Sequence, residues 1–576
     1  MKNSKVLLPS LLFLFSAVVL TVTQPPIGWS ALAWVSLVPF ILACSLQSKP
    51  KQLVLVAYVV SLAYWLGNLY WVSPITIIGW IAFCVYTAIL WPLAALCLRY
   101  CRAKRIPLLI TVPVLFVGIE RSQGFLLGGF FWRFLGHSQY ANITLIQMVD
   151  IFGVAGLSFV IALVNALVAD LIIASRQTRL FKPGSIVKVV VVLAVLGAVL
   201  CYGRWRINQS DKFVTQGPQV ASLQSSVPQS VKRSFQNSDE LFNGLMEKSR
   251  AAAEAGAGLI VWPETMVQAT LDSSVLRLLD PSHSYRVFDQ TLREHAKDTA
   301  YVLVGAYGGV PEIKDEDTIH LAKRYNSAFL YRPDGRKADE YYSKIHLVPF
   351  GEVLPFRKTV PWLYNLLMKF TPYNYDYSLD YGSEYTVFEM SPPNEPDAKP
   401  YRFGVLICYE DTVPAIARRF ALDNKGHKRL DWLVNISNDG WFVGFEDDKV
   451  SPSAELPQHA AICVFRAVEN RLPILRSVNT GISCLIDSLG RIREGYLAAS
   501  PNFPIKPMNR TGMAGWFSDE MPIDKRVTVF SKYGEWLDYC CIGVFFSLII
   551  VLVVTTYLGP KIATRSSGKT NEQNSR

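Results

Sequence analysis

The sequence predicts a multi-span α-helical membrane domain joined to an extracytoplasmic α/β layered domain, and three observations carry that reading. Of the 576 residues 51% are hydrophobic and only 18% charged, too apolar a balance for a water-soluble chain of this length. The apolar excess is concentrated at the two ends, in stretches of the roughly 20 residues that a membrane-spanning helix needs. From about residue 215 the polar remainder alternates short β-rich runs with helical ones, the pattern of a layered fold with buried strands.

In chain order, candidate spans lie at about 6–23, 28–46, 53–73, 76–98, 107–121, 151–175 and 187–203, with an eighth at about 538–558. Lys2 and Lys5 ahead of the first give it the look of a secretion signal. No small-x-small cleavage site follows, and a second span begins almost at once, so an uncleaved helix is expected. Short-loop basic residues then set the orientation. Lys2 and Lys5, Lys49 and Lys51, Arg99 to Arg105, Arg176 to Lys182, and Lys561 to Lys569 all share one side if the N-terminus is cytoplasmic and there are eight spans. The expected domains are 1–204 (membrane, about seven helices), 205–537 (the layered domain, on the opposite face), 538–558 (the eighth helix) and 559–576 (a cytoplasmic tail). The net charge of +11 sits in these clusters and forms no basic stripe, which sets nucleic-acid binding aside.

Between spans five and six, Gly128 to Gln139 is too aromatic and glycine-rich for a plain loop. It predicts an interfacial arm, either a headgroup-level anchor or a substrate contact. In the layered domain, strands are expected at 219–224, 258–262, 301–305, 403–408 and 432–436, with a strand pair at 473–478 and 481–486. Residues 326–345 read as a hairpin turning at Arg332-Pro333-Asp334-Gly335. Helices are expected at 237–256, from about 413, and at 455–470. The ten cysteines form no disulfide framework, and no Cys/His spacing suggests a metal site.

Three phrases carry the chemistry. The uncharged run Gly404–Ile407 leads into Cys408, followed at once by Tyr409, Glu410 and Asp411. A second apolar run, Gly258 to Trp262, ends in Pro263 and Glu264. Tyr341 to Glu352 sets Lys344 among aromatic and apolar neighbours, with a second acid eight positions on. Singly, each residue has a plain structural reading: a core cysteine, a helix-start carboxylate, a solvated strand lysine. Together they supply what attack on an acyl carbonyl requires. Cys408 is the nucleophile, Glu264 the base, and Lys344 the positive charge for the oxyanion, with backbone N–H groups after Cys408 as candidate co-donors.

A glutamate, a lysine and a cysteine in that order, each in its own phrase, resemble the catalytic triad of the carbon–nitrogen hydrolase (nitrilase) superfamily, which implies an αββα sandwich for the layered domain. With the surrounding spans, the chain resembles the apolipoprotein N-acyltransferase family over nearly its whole length. The residues that carry this are Gly28-Trp29 to Pro39, the Gly128–Gln139 arm, Asn438 to Phe442, Gln458-His459 with Arg466 to Arg471, and Asn479 to Ser483. The resemblance implies a catalytic Glu264, Lys344 and Cys408, with Glu352 as supporting acid and Tyr409 and Glu410 following the nucleophile. Trp441 and Phe442 are further candidates for lining the pocket.

The resemblance also implies a reaction. A phospholipid, typically phosphatidylethanolamine, gives its sn-1 acyl chain to Cys408. The thioester then passes it to the α-amino group of a lipoprotein's N-terminal diacylglyceryl-cysteine, a ping-pong cycle without cofactor or metal. It further implies a bacterial inner membrane with the catalytic domain in the periplasm, and a monomer is expected because the membrane tether restricts association through the sheets. The apolar, aromatic stretch Val360 to Tyr373 is expected to be a lid or interfacial segment, or else a short packed core helix. Two other readings stand beside this one. A membrane-tethered nitrilase or amidase acting on small amides needs none of the eight spans. A transporter or scaffold with a degenerate hydrolase domain has no use for an intact triad, and most spans lack the mid-span ionisable residues that coupled transport requires.

Overall fold

The computed structural model describes residues 4–555, apart from 47, 178–181, 230–237, 316–317, 355, 358, 370–375, 393–397 and 447–448. Lys2, Arg179, the end of the expected lid at 370–373 and the tail with Lys561, Arg565 and Lys569 lie outside the described residues.

Apolar helices occupy the expected end segments. Among the described residues five are long and apolar enough to cross a membrane: Pro50–Asn68, Ile77–Ala103, Val149–Ser175, Pro183–Asn208 and Trp536–Val553. Val6–Val22 and Ser30–Ser45 are shorter apolar helices, and Leu108–Gln123 adds another of 16 residues. In Pro183–Asn208 and Trp536–Val553 only 17% of the most apolar window is buried, so most of their apolar side chains face outward, as lipid-facing helices require.

Three expected spans are interrupted, each for a local reason. The stretch 28–46 is a one-turn helix, Ser30–Trp34, followed by Val38–Ser45. Asn165 of a neighbouring helix holds the break: its amide donates to the Ala33 carbonyl (2.9 Å), and its carbonyl accepts from Leu37 N–H (2.8 Å). That side chain supplies the partners a broken helix loses in an apolar medium. Ile77–Thr87 and Leu90–Ala103 part where Pro92 removes the N–H that would bond back to Ala88. Val149–Ser175 is kinked at Gly153, whose φ of +65° is left-handed, and the next N–H (Val154) donates to Glu469 of the layered domain. The C-terminal helix returns against Leu108–Gln123. A Cβ on Gly118 would come within 2.8 Å of Phe545 and 2.9 Å of the Cys541 carbonyl, so glycine permits the close approach.

The layered domain contains β1 (Val214–Gln224), β2 (Leu259–Val261), β3 (Tyr301–Asp315), β4 (Thr318–Tyr331), β5 (Lys337–Ser343), β6 (Phe388–Met390) and β7 (Tyr401–Ile407). It continues with β8 (Trp432–Ser437), β9 (Gly444–Glu446), β10 (Lys449–Ser451), β11 (Ile474–Val478), β12 (Cys484–Ile486), β13 (Ala498–Ala499) and β14 (Gly515–Asp524). One sheet runs β13-β14-β1-β2-β3-β4-β5, the other β12-β11-β8-β7-β6, and β9 pairs with β10. The pairs β1–β2, β2–β3, β7–β8 and β8–β11 are parallel.

Alternation along each strand sends successive side chains to opposite faces, which builds two cores. Val220, Leu259, Val261 and Leu303 face Val405, Ile407, Val434 and Ile436 of the other sheet, all at or below 1% exposure. Ser477 ties the sheets, its hydroxyl between the Leu223 and Val261 carbonyls. Ala221, Leu223, Ile260 and Val302 point the other way, against Phe242, Leu245, Leu292 and Ala296 of helices Ser238–Glu254 and Ser284–Asp298. Helices Pro414–Ala421 and Glu455–Asn470 cover the outer face of the second sheet. The result is the αββα sandwich.

This domain is fastened to the helices through buried charge. Asp150 accepts from Tyr202 (2.6 Å) and Arg206 (2.8 Å) of the neighbouring helix and from Arg471 (2.7 Å) of the sandwich.

Candidate active site

Strands that run the same way deliver their next residues to the same end of a sheet, and the three phrases end where β2 and β5 of one sheet meet β7 of the other. β2 passes through Trp262 and Pro263 to Glu264, which is 5% exposed. Behind it, Gly305 of β3 lies so close that a Cβ would stand 2.5 Å from Thr265 N and 2.8 Å from Glu264 Cα. β5 ends at Ser343, and Lys344 follows with its N–H on the Asn326 carbonyl of β4 (2.8 Å). β7 ends at Ile407, and Cys408 opens a one-turn helix, Cys408–Thr412, with φ +53°. A left-handed conformation at a non-glycine residue is strained, and it turns this side chain out of the strand.

The geometry brings the predicted residues together. Lys344, 1% exposed, places Nζ 2.7 Å from Glu352 Oε2 and 3.5 Å from Glu264 Oε1. Glu352 also accepts from Val348 N–H (2.9 Å). The charges of Glu264 and Lys344 both act on the Cys408 thiol. Burial pushes that thiol up, Glu264 and more weakly Asp439 add to the effect, and Lys344 and His459 work against it; the cysteine therefore rests as a thiol. Burial also opposes the Lys344 charge, but Glu352, Glu264 and Cys408 outweigh it and hold the ammonium protonated.

Glu410 joins two of these segments. Its carboxylate accepts from the N–H groups of Ile345 (2.7 Å), His346 (2.9 Å) and Ile407 (2.8 Å) and from the Tyr342 hydroxyl (2.8 Å). It thus pins the lysine loop to the strand end that carries the cysteine. Tyr409 reaches the other way, into the arm between the membrane helices. Its hydroxyl donates to the Gly129 carbonyl (3.1 Å) and accepts from Phe131 N–H (3.0 Å), and its ring stacks near Trp132 and His346. Trp132 in turn donates to Gln458 Oε1 (2.7 Å). The arm is therefore packed against the residue beside the cysteine, with Trp132, Phe134 and His137 buried. Trp441 closes the short turn Asp439–Trp441, and Phe442 meets Trp71 of the membrane helices edge-on at 5.1 Å.

Sequence reasoning missed two parts of the site. Asn326 of β4, 3% exposed, donates from its amide to Glu264 Oε1 (2.6 Å) and Glu352 Oε1 (3.0 Å), bridging the two acids. The available signal was an uncharged polar residue just ahead of the apolar run Ala328–Tyr331. The second is a buried charge cluster around His459, which joins Glu455 of its own helix to Asp411 and Asp439 from other elements.

A sandwich of this topology, with an acid, a lysine and a cysteine meeting at one edge, defines a carbon–nitrogen hydrolase domain carried on apolar helices. The carbon–nitrogen hydrolase family matches residues 214–496, and the apolipoprotein N-acyltransferase N-terminal domain matches residues 16–167. An apolipoprotein N-acyltransferase from Geobacter metallireducens is 31% identical over 553 residues, covering 92% of this chain and 93% of that relative. One from Chlorobaculum tepidum is 25% identical over 548 residues, with 92% and 93% covered. The chain belongs to the apolipoprotein N-acyltransferase family and is a membrane protein. Among solved structures, an amidase from Nesterenkonia sp. aligns at 15% identity and a TM-score of 0.33, covering 54% of this chain and 94% of that one.

Proposed function

We propose that this protein transfers an acyl chain from a phospholipid, phosphatidylethanolamine above all, to the α-amino group of the N-terminal diacylglyceryl-cysteine of lipoproteins, through a thioester on Cys408. The observation that carries this reading is the buried Lys344 held between Glu264 and Glu352 beside the cysteine, in a chain of this family.

In the first half-reaction Glu264 takes the Cys408 proton as the sulfur attacks the sn-1 ester carbonyl. The tetrahedral oxyanion forms against the Lys344 ammonium. The C–O bond breaks, Glu264 returns the proton to the departing alkoxide, and a lysophospholipid leaves. In the second half-reaction the lipoprotein amine attacks the thioester and Glu264 takes its proton. The C–S bond then breaks, the amide forms, and Glu264 returns that proton to the sulfur to restore the thiol. Glu352 keeps Lys344 charged and in place, and Asn326 fixes the spacing of the two acids. Water must stay away from the thioester, or transfer becomes hydrolysis.

Residues 1–204 and 538–558 form the membrane part, 205–537 the catalytic domain in the periplasm and 559–576 a cytoplasmic tail, in a protein that acts as a monomer in the inner membrane. The basic loops at Lys49–Lys51 and Arg99–Arg105 support this orientation. Helix Pro361–Met368 has no buried residue, and Trp362 is 69% exposed, which supports a segment that meets lipid near the site.

Intact-protein mass spectrometry after exposure to phosphatidylethanolamine tests the reading. A fatty-acyl adduct that hydroxylamine or an apolipoprotein peptide removes, and that Cys408→Ser lacks, is expected. Hydrolysis of small amides with no adduct from any phospholipid would replace it with a tethered amidase.

A further inference from the structure

Behind the cysteine lies a charged cluster that the reaction above does not use. His459 of helix Glu455–Asn470 places Nε2 2.8 Å from Asp411 Oδ1, in the same one-turn helix as Cys408. Its Nδ1 lies 3.2 Å from Glu455 Oε1 and 3.3 Å from Asp439 Oδ1. Arg476 of β11 pairs with Asp411 and stands 3.8 Å from Asp439 Oδ2. None of these five side chains is more than 2% exposed. Trp132 of the arm packs on the imidazole at 5.5 Å, and Cys463 and Cys484 lie near Arg476.

Contacts and charge balance fix the protons in this cluster. Both imidazole nitrogens face carboxylate oxygens, so both must donate, and the ring is an imidazolium. Charge counting agrees. With a neutral ring, three carboxylates against one guanidinium leave two uncompensated negative charges in a dry interior, an arrangement far costlier than taking up protons. With the imidazolium and one protonated carboxyl the cluster is neutral. Glu455 is the carboxyl for that proton, since it has no arginine partner among the described residues and burial, then Asp439, push it up to about 7. Asp439, Glu455 and His459 could also be read as metal ligands, their donor atoms lying within 4.8 Å of one another. Each ring nitrogen is already on a carboxylate, and Arg476 brings its own charge to Asp439, so the cluster suits protons better than a cation.

We propose that His459 is a positioning residue for acyl transfer, a fixed positive charge behind Cys408 that, with Lys344 in front, lowers the cost of the thiolate. Glu455 acts in the opposite sense. As its proton leaves above neutral pH, a new negative charge appears in the cluster and makes the thiolate harder to form. The proposal rests on Cys408 being the nucleophile, but its test reads the thiol itself, so a failure of phospholipid acylation would not be mistaken for its failure.

The experiment is the rate of Cys408 alkylation by iodoacetamide in the full-length protein in detergent, followed by peptide mass spectrometry across pH, with thermal unfolding as the check on folding. His459→Gln is expected to raise the cost of the thiolate by about one pKa unit, which slows alkylation about tenfold at neutral pH. Glu455→Gln replaces a protonated carboxyl by a neutral amide, so it should fold, and it is expected to speed alkylation above neutral pH, where the wild-type carboxyl carries a charge. A purely structural role would change both variants in the same direction or neither, and either result overturns the proposal. If His459→Gln does not fold, Glu455→Gln decides alone: a rate above neutral pH that is unchanged or lower refutes the idea.

Discussion

Glu410→Gln isolates what holds the cysteine and lysine segments together. In the wild type one oxygen accepts from Ile345 and His346, the other from Ile407 and Tyr342, and the side chain is fully buried. A glutamine has one acceptor oxygen. Its better orientation keeps that oxygen on Ile345 and His346 and turns the NH2 towards Ile407. The Tyr342 hydroxyl can rotate to accept, but the Ile407 N–H cannot, and a buried unpaired donor costs about 1–3 kcal/mol. Burial pushes Glu410 up to about 7, so above that pH, where it is ionised, the surviving bonds also lose their charge assistance, at roughly 1 kcal/mol each for the two backbone donors. The sum is about 3–5 kcal/mol, enough to lower the unfolding temperature by at least about 5 °C. Its effect on chemistry comes from geometry, because a misplacement of about 1 Å between Lys344 and Cys408 costs on the order of a hundredfold. Stopped acylation with phosphatidylethanolamine, read as adduct mass against time, measures this beside a thermal melt. A variant that melts with the wild type and acylates within about twofold of its rate would refute the clamp.

Gly305→Ala pushes a methyl into the backbone of Pro263, Glu264 and Thr265, with contacts of 2.5–2.8 Å that only backbone movement relieves. Acylation is expected to fall about 10- to 100-fold, read as adduct mass against time, and a rate within about twofold of the wild type would show that Gly305 does not set the position of Glu264. Asn326→Asp places a third carboxylate 2.6–3.0 Å from Glu264 and Glu352, with one lysine to serve all three. Like charges that close cannot all ionise, so acylation at neutral pH should fall at least about a hundredfold. Once protonated, the introduced carboxyl is uncharged and donates one of the two hydrogen bonds the amide made, so the deficit should shrink as the pH is lowered. A deficit that stays constant would show that the bridge is not what Asn326 supplies.

The parts of this fold that were legible in the sequence are those whose information is local. Buried strands β2, β7 and β8 announce themselves as short apolar runs, and the hairpin of β4 and β5 by its Pro-Asp-Gly turn. What was not legible depends on partners elsewhere. The break near Val35 cannot be foreseen without Asn165, 128 residues on, to hold Leu37. β14 was missed because Ser518 and Asp519 interrupt its apolar pattern, although both are buried here. β3 and β4 extend beyond the apolar core of the expected strands because they pair with each other over most of their length. Helix Ser284–Asp298 is polar on most of its circumference, with Leu292 and Ala296 alone fully buried among its apolar residues. The candidate site divides the same way. Glu264, Lys344 and Cys408 each close a recognisable phrase, whereas Asn326 and the His459 cluster acquire meaning only when the strands meet.

The membrane helices are more than a tether for the sandwich. An anchor would need one flexible connection, but here the arm makes two backbone hydrogen bonds to Tyr409, the residue next to the cysteine, and Trp132 bonds to Gln458 one residue before His459. Asp150 ties the same helical bundle to Arg471 at the end of helix Glu455–Asn470, so that helix is held at both ends by the membrane part. The turn that carries Cys408 and the charge cluster behind it are thus positioned from the bundle as much as from the sheets. An enzyme acting on a soluble amide gains nothing from this arrangement. One whose donor and acceptor both arrive within a bilayer needs the reacting carbonyl to meet Cys408 at a fixed depth, and depth is a property only the bundle can set.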